Sequence, residues 1–232
     1  MSKKISIILS TYNEAYIIED TIKKILTSIE NVEIVIVDDN SNDGTCDIIE
    51  KINDPKIKLL RRSNRGLSSA FLLGLINTNG EIIGWFDSNM PELIDKVPDM
   101  LKSLESNDLV ILSRFVDGGK DTRSKARILS SKIINIICKL VLGSKIKDYT
   151  SGVFLMNRET LNISTPICYG HGEFFIEYLH SLNKRGAKID EISYTHPKDV
   201  EGMSKTATSL FRFLKLGSNY IVRIFISLLN RR

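Results

Sequence analysis

The sequence predicts an α/β fold, built on a mostly parallel sheet with helices on both faces. In the first half of the chain, short apolar runs alternate with segments whose apolar residues recur at helical spacing. The apolar runs are nearly continuous, which is typical of strands that are buried on both faces. The 232 residues are 42% apolar and 26% charged, so they suffice for one large domain, or one domain with an appendage.

Five strands are expected in the first half, with helices between them. The strands are expected at 5–9, 33–37, 57–60, 81–86 and 108–112. Asn13 is expected to cap the first helix, whose apolar residues are Ile18, Ile22, Ile25 and Ile29. Further helices are expected after Thr45, over 67–75, and from Pro91 to about residue 104.

The second half contains two amphipathic segments, 124–143 and 206–230, in which Arg and Lys are interspersed among apolar residues. Such a helix either packs on a core while its cations extend to solvent, or lies in the interface of an anionic membrane. We expect one domain over residues 1–205 and a C-terminal amphipathic, membrane-associated helix over 206–232, which ends in Arg231 and Arg232.

Composition and missing motifs exclude several classes of function. The net charge of +4 does not call for a nucleic-acid partner, and three cysteines at unrelated spacings fit neither a zinc site nor a disulfide framework. No G-x-G-x-x-G, P-loop or G-x-S-x-G motif is present, which argues against an NAD enzyme, a P-loop NTPase and an α/β-hydrolase. The apolar run near the N-terminus is too short for a signal peptide, and no apolar stretch is long enough to span a membrane. We therefore expect a cytosolic chain.

Polar clusters follow three of the expected strands. They contain Glu14, Asp39 and Asp87, and ligands of parallel α/β sheets bind beyond the carboxyl ends of the strands. Asp87 and Asn89 would point to the same side of an extended segment, where they could bind a nucleotide-associated Mg²⁺ or Mn²⁺. The same residues could instead form only a turn and a helix cap before Pro91.

The order of these motifs resembles the family-2 glycosyltransferases, whose Rossmann-like fold is called GT-A. The second half resembles the branch that transfers sugars to polyprenol phosphates, typified by dolichol-phosphate mannosyltransferases. The motifs that carry the resemblance are Ser10-Thr11-Tyr12-Asn13-Glu14, Val37-Asp38-Asp39, Asn64-Arg65-Gly66, Asp87-Ser88-Asn89, Ser113-Arg114-Phe115, Asp148-Tyr149-Thr150-Ser151-Gly152, Glu173-Phe174-Phe175-Ile176-Glu177 and Gly202-Met203-Ser204-Lys205.

The resemblance assigns a role to each matching residue. The residues that it places at the nucleotide, its base and its ribose are Ser10, Tyr12, Glu14, Val37 and Asp39. Those that it places at the metal ion or the phosphates are Asp87, Ser88, Asn89, Arg114, Arg127 and Lys205. Within these sets, Asp87 and Asn89 are the expected metal ligands, and the expected catalytic residues are Asp87, Arg114 and Lys205.

Two positions depart from the family pattern. Asn89 stands where the family has a second Asp, and an amide is a weaker ligand for a hard cation than a carboxylate. An Arg usually lies shortly before the G-x-S-K loop, and Asp199 occupies that place here.

The resemblance implies an inverting transfer from a GDP- or UDP-linked sugar to a polyprenyl or dolichyl phosphate, with Mg²⁺ or Mn²⁺ as cofactor. It also implies a peripheral location on the cytosolic face of a membrane. Two alternatives stay open: transfer to a glycan hydroxyl, and a non-catalytic nucleotide-sugar-binding homologue. A hydroxyl acceptor would need a general base, for which Asp148 and Glu173 are the candidates.

Overall fold

The structure, a computed structural model, describes residues 2–143, 145–198 and 210–229, with the side chains of 210–216 left out. The strands in these ranges are β1 (Ile5–Thr11), β2 (Val32–Asp38), β3 (Ile57–Arg61), β4 (Ile82–Asp87), β5 (Leu109–Ser113), β6 (Lys120–Asp121), β7 (Phe154–Asn157), β8 (Ile189–Ser193) and β9 (Thr195–His196). The helices are α1 (Ile18–Ser28), α2 (Thr45–Ile52), α3 (Leu67–Ile76), α4 (Val97–Leu104), α5 (Lys125–Leu142), α6 (Thr160–Ile163), α7 (Phe174–Lys184) and α8 (Leu210–Leu229).

Seven strands form the main sheet in the order β3-β2-β1-β4-β7-β5-β8. Strands β1 to β4 are parallel, β7 is antiparallel to both of its neighbours, and β8 is parallel to β5. The expected mostly parallel sheet is confirmed. The antiparallel strand was not predicted, and it separates β4 from β5, which follow each other in the sequence. Strands β6 and β9 pair separately.

Helices cover both faces of the sheet, because alternate side chains of each buried strand point to opposite faces. On β1, Ile7 and Leu9 pack into one core with Ile22 of α1, while Ile8 packs into the other core with Phe71 of α3. Helix α3 approaches β1 closely at Gly74, where an added Cβ would lie 2.3 Å from Cγ2 of Ile8. A glycine at this position therefore permits the close helix–sheet contact.

Two expected helix starts differ from the structure. Asn13 does not cap α1: the N-cap residue is Ile17, and Asn13 adopts a positive φ of 54° in the loop before it. Pro91 begins a 3₁₀ helix over Pro91–Lys96, and the α-helix starts only at Val97. Asn13 is therefore a residue of the loop between β1 and α1 and not the cap of the helix.

The two amphipathic segments form α5 and α8, and these helices pack against each other. Ile224 of α8 is fully buried in the same core as Phe175 of α7. The division of the chain at residue 205 stays a prediction. Among the described residues, no helix is both long enough and apolar enough to cross a bilayer.

Candidate active site

The carboxyl ends of β1, β2 and β4 meet at one edge of the sheet. The register places Ser10 between Val37 of β2 and Asp87 of β4, and Thr11 opposite Asp38. This arrangement agrees with the convergence that parallel strands predict. Residues widely separated in the sequence thus lie at one edge of the sheet.

Asp38 organises the loops that leave β1 and β2. Its carboxylate accepts hydrogen bonds from the Thr11 hydroxyl at 2.8 Å, and from the Ser41 hydroxyl at 2.6 Å and amide at 2.8 Å. Ser41 also accepts a hydrogen bond from the Asn13 amide, and Thr45 accepts one from the Glu14 amide. Asp38 is buried, so its role is to fix the shape of the loops.

The neighbouring Asp39 binds the loop between β3 and α3. Its carboxylate accepts hydrogen bonds from Nε of Arg62 and, at 2.9 Å, from the amide of Gly66. The adjacent Arg65 places its guanidinium 3.5 Å from the centre of the Tyr12 ring. Asp39 therefore holds the loop that brings Arg65 over Tyr12, and any contact of Asp39 with a base or ribose stays a prediction.

Asp87 lies half-buried at the end of β4. The pKa of its carboxyl is raised to about 6, mainly by burial and also by the charge of Glu14, while Arg114 and Arg123 act in the opposite direction. The pKa is thus raised by burial and by a second carboxylate, in spite of two cations. An ionised Asp87 is costly at this position without further positive charge.

Asn89 lies in the same cluster as Asp87 and Glu14. The Tyr16 hydroxyl hydrogen-bonds the side chains of both Glu14 and Asn89, and burial together with Glu14 raises the pKa of that hydroxyl. The cluster supplies a carboxylate and an amide oxygen beside unbalanced negative charge. Mg²⁺ and Mn²⁺ prefer oxygen ligands, and Mg²⁺ commonly takes one or two protein carboxylates together with substrate phosphates. Asp87 and Asn89 therefore fit such a cation.

Ser88 faces inward instead of toward this cluster. Its hydroxyl donates a 2.8 Å hydrogen bond to the carbonyl of Ser10, and its own carbonyl accepts one from Thr21 at 2.7 Å. These contacts tie the loop after β4 to β1 and α1. A contact between the Ser88 side chain and a metal ion or diphosphate stays a prediction.

Arg114 forms a buried, bidentate ion pair with Asp148. Its Nε and Nη2 donate to the two carboxylate oxygens at 2.8 and 2.7 Å, and Nη2 also donates to the Thr150 hydroxyl. Burial by itself would raise the pKa of Asp148, but the Arg114 charge holds it below its ordinary value. Asp148 is thus a poor general base. The Asp148 carboxylate also neutralises much of the positive charge that Arg114 brings to the site.

Arg123, which none of the sequence motifs indicated, contributes positive charge to this site. Arg123 binds Asp121 through two hydrogen bonds of 2.9 and 2.6 Å, and its charge acts on both Asp87 and His196. Burial lowers the pKa of His196 to about 4, and Arg123 acts in the same direction, so the ring is neutral at pH 7. The only signal for Arg123 in the sequence was its place two residues after Asp121.

Arg127 lies half-buried on the first turn of α5.

Two further residues were expected to take part in the chemistry, Glu173 and Lys205. Glu173 precedes α7, is buried, and accepts a 2.9 Å hydrogen bond from the amide of His171. Lys205 and the rest of its loop, as well as Asp199, lie outside the described residues. The role of Lys205 is therefore a prediction from the sequence.

Several proteins with similar sequences are named as mannosyltransferases of dolichol phosphate or undecaprenyl phosphate. The chain is 30% identical over 225 residues to the dolichol-phosphate mannosyltransferase of Pyrococcus furiosus, covering 91% of this chain and 62% of that protein. It is 26% identical over 208 residues to the undecaprenyl-phosphate mannosyltransferase of Micrococcus luteus, covering 85% of each. The chain thus spans less than two thirds of the Pyrococcus protein.

A similar solved structure is glucosyl-3-phosphoglycerate synthase of Mycobacterium tuberculosis with uridine diphosphate. The TM-score is 0.75 at 19% identity, over 98% of this chain and 80% of the synthase. The synthase has also been solved with Mn²⁺, uridine diphosphate and its product, with a TM-score of 0.73. This likeness confirms the GT-A fold. The model of the family described as Glycosyl transferase family 2 matches residues 6–163, and the chain belongs to that family.

Proposed function

We propose that this chain transfers a sugar from a UDP- or GDP-linked donor to a polyprenyl or dolichyl phosphate, with inversion at the anomeric carbon. The observation that carries the proposal is the cluster of Asp87, Glu14 and Asn89 at the strand ends, in a chain similar to enzymes named for such acceptors. A half-buried carboxylate that needs positive charge is well suited to a nucleotide diphosphate bound with a divalent cation.

Asp87 and Asn89 would hold Mg²⁺ or Mn²⁺ in the proposed site. When bound, the cation supplies electrostatic stabilisation for the negative charge that develops on the departing diphosphate. The support from this chain is the raised pKa of Asp87, since a cation removes the cost of ionising that carboxyl. The related synthase, which was solved with Mn²⁺, adds support from the fold.

Cations of the chain itself would share in offsetting the leaving-group charge. Arg123 already acts on Asp87, and Arg127 lies on the first turn of α5, next to the Arg123 loop. Guanidinium groups bind phosphate oxygens with two parallel hydrogen bonds, which suits a diphosphate. Arg114 would act together with Asp148 as a fixed ion pair, and Lys205 would add a charge from its loop.

The nucleoside would lie at the ends of β1 and β2. Tyr12 under Arg65 offers a stacked, cationic edge, and Asp39 follows the end of the neighbouring strand. Val37 is fully buried in the second core, so its expected contact with the nucleoside has no exposed surface in this structure. Bases stack on aromatic rings and on arginine planes, and a carboxylate accepts hydrogen bonds from a ribose. In this proposal Ser10 lies beneath the nucleotide, at the point where the three strands meet.

A lipid phosphate acceptor is already an anion at neutral pH, so its oxygen attacks without a strong general base. This agrees with the pairing of Asp148 by Arg114, which removes one of the two candidate bases. Transfer proceeds in one displacement, in which the acceptor oxygen bonds to the anomeric carbon as the bond to the diphosphate breaks.

The direct test is a product assay with the purified chain, Mn²⁺, labelled UDP- and GDP-sugars, and either polyprenyl phosphate or an oligosaccharide. The proposal expects label in the lipid extract with the polyprenyl phosphate and none with the oligosaccharide. Label in a water-soluble oligosaccharide would favour the hydroxyl acceptor. Nucleotide binding without turnover of any pair would indicate a non-catalytic homologue.

Substituting Asn89 tests its assignment as a weak metal ligand. Asn89→Asp should lower the Mn²⁺ concentration needed for half-maximal transfer, because a carboxylate binds hard cations better than an amide. Asn31→Asp is the matched control, since Asn31 is exposed at the opposite end of β1, where its carbonyl accepts from Ile5. Unchanged metal dependence in Asn89→Asp would make this residue part of a turn only.

We further propose that α5 and α8 attach the chain to an anionic membrane surface. Apolar side chains of α5 recur at spacings of four and three residues and are exposed, namely Leu129, Ile133, Ile136 and Leu140. On the neighbouring α8, Val222, Phe225, Ile226 and Leu229 are also exposed. Lys132 and Lys139 are exposed on α5, and each cation near an anionic surface adds about 1 kcal/mol.

Flotation with vesicles tests this attachment. The chain should float with vesicles that contain phosphatidylglycerol, less so at high salt, and less so without the anionic lipid. Replacing Ile136 and Leu140 with Glu should abolish flotation, whereas Ile76→Glu should not, because Ile76 is similarly exposed but belongs to α3, outside the two proposed membrane helices. A wild-type chain that never floats would refute the membrane proposal.

A further inference from the structure

Arg62 follows β3 and joins the end of β2 to the start of α3. Its guanidinium donates from Nε to Oδ1 of Asp39, from Nη1 to the Ser69 hydroxyl at 2.8 Å, and from Nη2 to the carbonyl of Gly66 at 2.5 Å. The side chain of Arg62 is 14% exposed. These three contacts use the planar, branched set of donors that distinguishes arginine from lysine.

The contact with Arg62 fixes the orientation of the Asp39 carboxylate. Oδ1 accepts from Arg62, and Oδ2 accepts from the amide of Gly66 at 2.9 Å. A carboxylate can accept about four hydrogen bonds, so these two donors leave acceptor positions on both oxygens. The side chain of Asp39 is 10% exposed. Asp39 therefore offers a ligand a small acceptor surface, whose direction is set by Arg62 and Gly66.

The same contacts hold the backbone beside Arg65. The amide of Gly66 is bound by Asp39, and its carbonyl is bound by Arg62. The preceding residue, Arg65, places its guanidinium 3.5 Å from the centre of the Tyr12 ring. Because Gly66 is held on both sides of its peptide plane, the position of the Arg65 cation over Tyr12 depends on Arg62.

Arg62 acts on a ligand through its neighbours, because three of its donor groups are used within the chain and little of its side chain is exposed. We propose that Arg62 is a positioning residue for the nucleoside of the donor. It orients Asp39 toward a ribose hydroxyl and keeps Arg65 over Tyr12 as a stacking surface for the base. This inference rests on the proposed function, which places the nucleoside at the ends of β1 and β2.

Calorimetric titration of UDP and of GDP into the whole chain, each with Mn²⁺, tests the role of Arg62. Arg62→Gln should weaken nucleotide binding by about ten-fold, the scale of one lost hydrogen bond to a charged group. Arg62→Lys should lie between Arg62→Gln and wild type, because it keeps the charge beside Asp39 without the branched donors, and it provides the comparison if Arg62→Gln does not fold. Arg61→Gln is the matched control and should leave the affinity unchanged, since the Arg61 side chain is 53% exposed and pairs with Glu50 at the surface.

A double-mutant cycle with Asp39 distinguishes positioning from general support of the fold. If Arg62 acts through Asp39, the loss of nucleotide affinity in the variant with both Arg62→Gln and Asp39→Asn should be smaller than the sum of the two single losses. Three results would overturn the inference: additive losses, equal affinity in Arg62→Gln and wild type, or a wild-type chain that binds neither nucleotide.

Sugar transfer to polyprenyl phosphate tests the proposed function separately. Absence of transfer by the wild-type chain, while Arg62→Gln still shows its defect in nucleotide binding, would count against the function and not against the role of Arg62. Transfer by the wild-type chain with unchanged nucleotide affinity in Arg62→Gln would count against the role of Arg62 alone.

Discussion

Asp87→Ala is expected to lower the rate of sugar transfer by at least about 100-fold while the fold survives, the scale for losing a principal electrostatic stabiliser. The reason is that Asp87 is the carboxylate of the proposed metal pair and ends the central strand β4. Transfer rates at saturating Mn²⁺, together with circular dichroism of the variant, measure the effect. Near-normal transfer with a native spectrum would remove the metal assignment.

The same carboxylate should make the metal-free chain less stable at neutral pH. Its pKa is about 6 in the folded chain and 3.8 in the reference state, so the folded form favours the proton. The stability from this group is complete below pH 3.8 and is lost as the pH rises through 6. Asp87→Asn should therefore stabilise the metal-free chain at pH 7 by up to about 3 kcal/mol, with no gain at pH 3.5. Urea unfolding in EDTA at both pH values measures this, and an equal gain at both would contradict the assignment.

Asp148→Ala is expected to reduce the free energy of unfolding by about 3–5 kcal/mol, the cost of leaving one member of a buried ion pair without its partner. The substitution removes both carboxylate contacts of Arg114, together with those made by Asn135 and Thr150. Equilibrium unfolding in urea measures the loss.

Glu19→Ala is the matched control for Asp148→Ala. Glu19 pairs with Lys23 at 2.5 Å on the exposed face of α1, and such surface pairs contribute little to stability. An Asp148→Ala chain as stable as the control would mean that Arg114 does not depend on this partner. Asp148 would then return as a candidate base for a hydroxyl acceptor.

The sheet and the place of the site could be predicted because both depend on local patterns. Continuous apolar runs identified β1 to β5, and the rule for parallel strand ends predicted that the clusters containing Glu14, Asp39 and Asp87 lie at one edge of the sheet. Strand β7 was missed because it is short and pairs with residues that are distant in the sequence. Its insertion between β4 and β5 depends on tertiary contacts, which the spacing of apolar residues along the sequence does not indicate.

The partners of the charged residues could not be predicted, since they depend on three-dimensional packing. Nothing in the sequence links Arg114 to Asp148, which lies 34 residues away, or Arg62 to Asp39. Matching motifs indicated which residues matter but not which of them bind each other. Arg123, outside the quoted motifs, was therefore overlooked.

The C-terminal helix shows why its pattern had two interpretations. Arg223 and Ile224 are buried against α7 and the second core, as a core-packing helix requires. Phe225 and Leu229 are exposed, as a membrane-binding helix requires. The sequence gives the apolar residues, and only packing decides which of them the fold covers.

The most direct test of the central claim is calorimetric titration of UDP and GDP into the wild-type chain and Asp87→Ala, each with Mn²⁺ and with EDTA. We predict that at least one nucleotide binds the wild-type chain with Mn²⁺, and that binding weakens strongly both in EDTA and in Asp87→Ala. Affinity that is unchanged by EDTA and by the substitution, or no binding of either nucleotide, would contradict a metal-dependent nucleotide site at the ends of β1, β2 and β4.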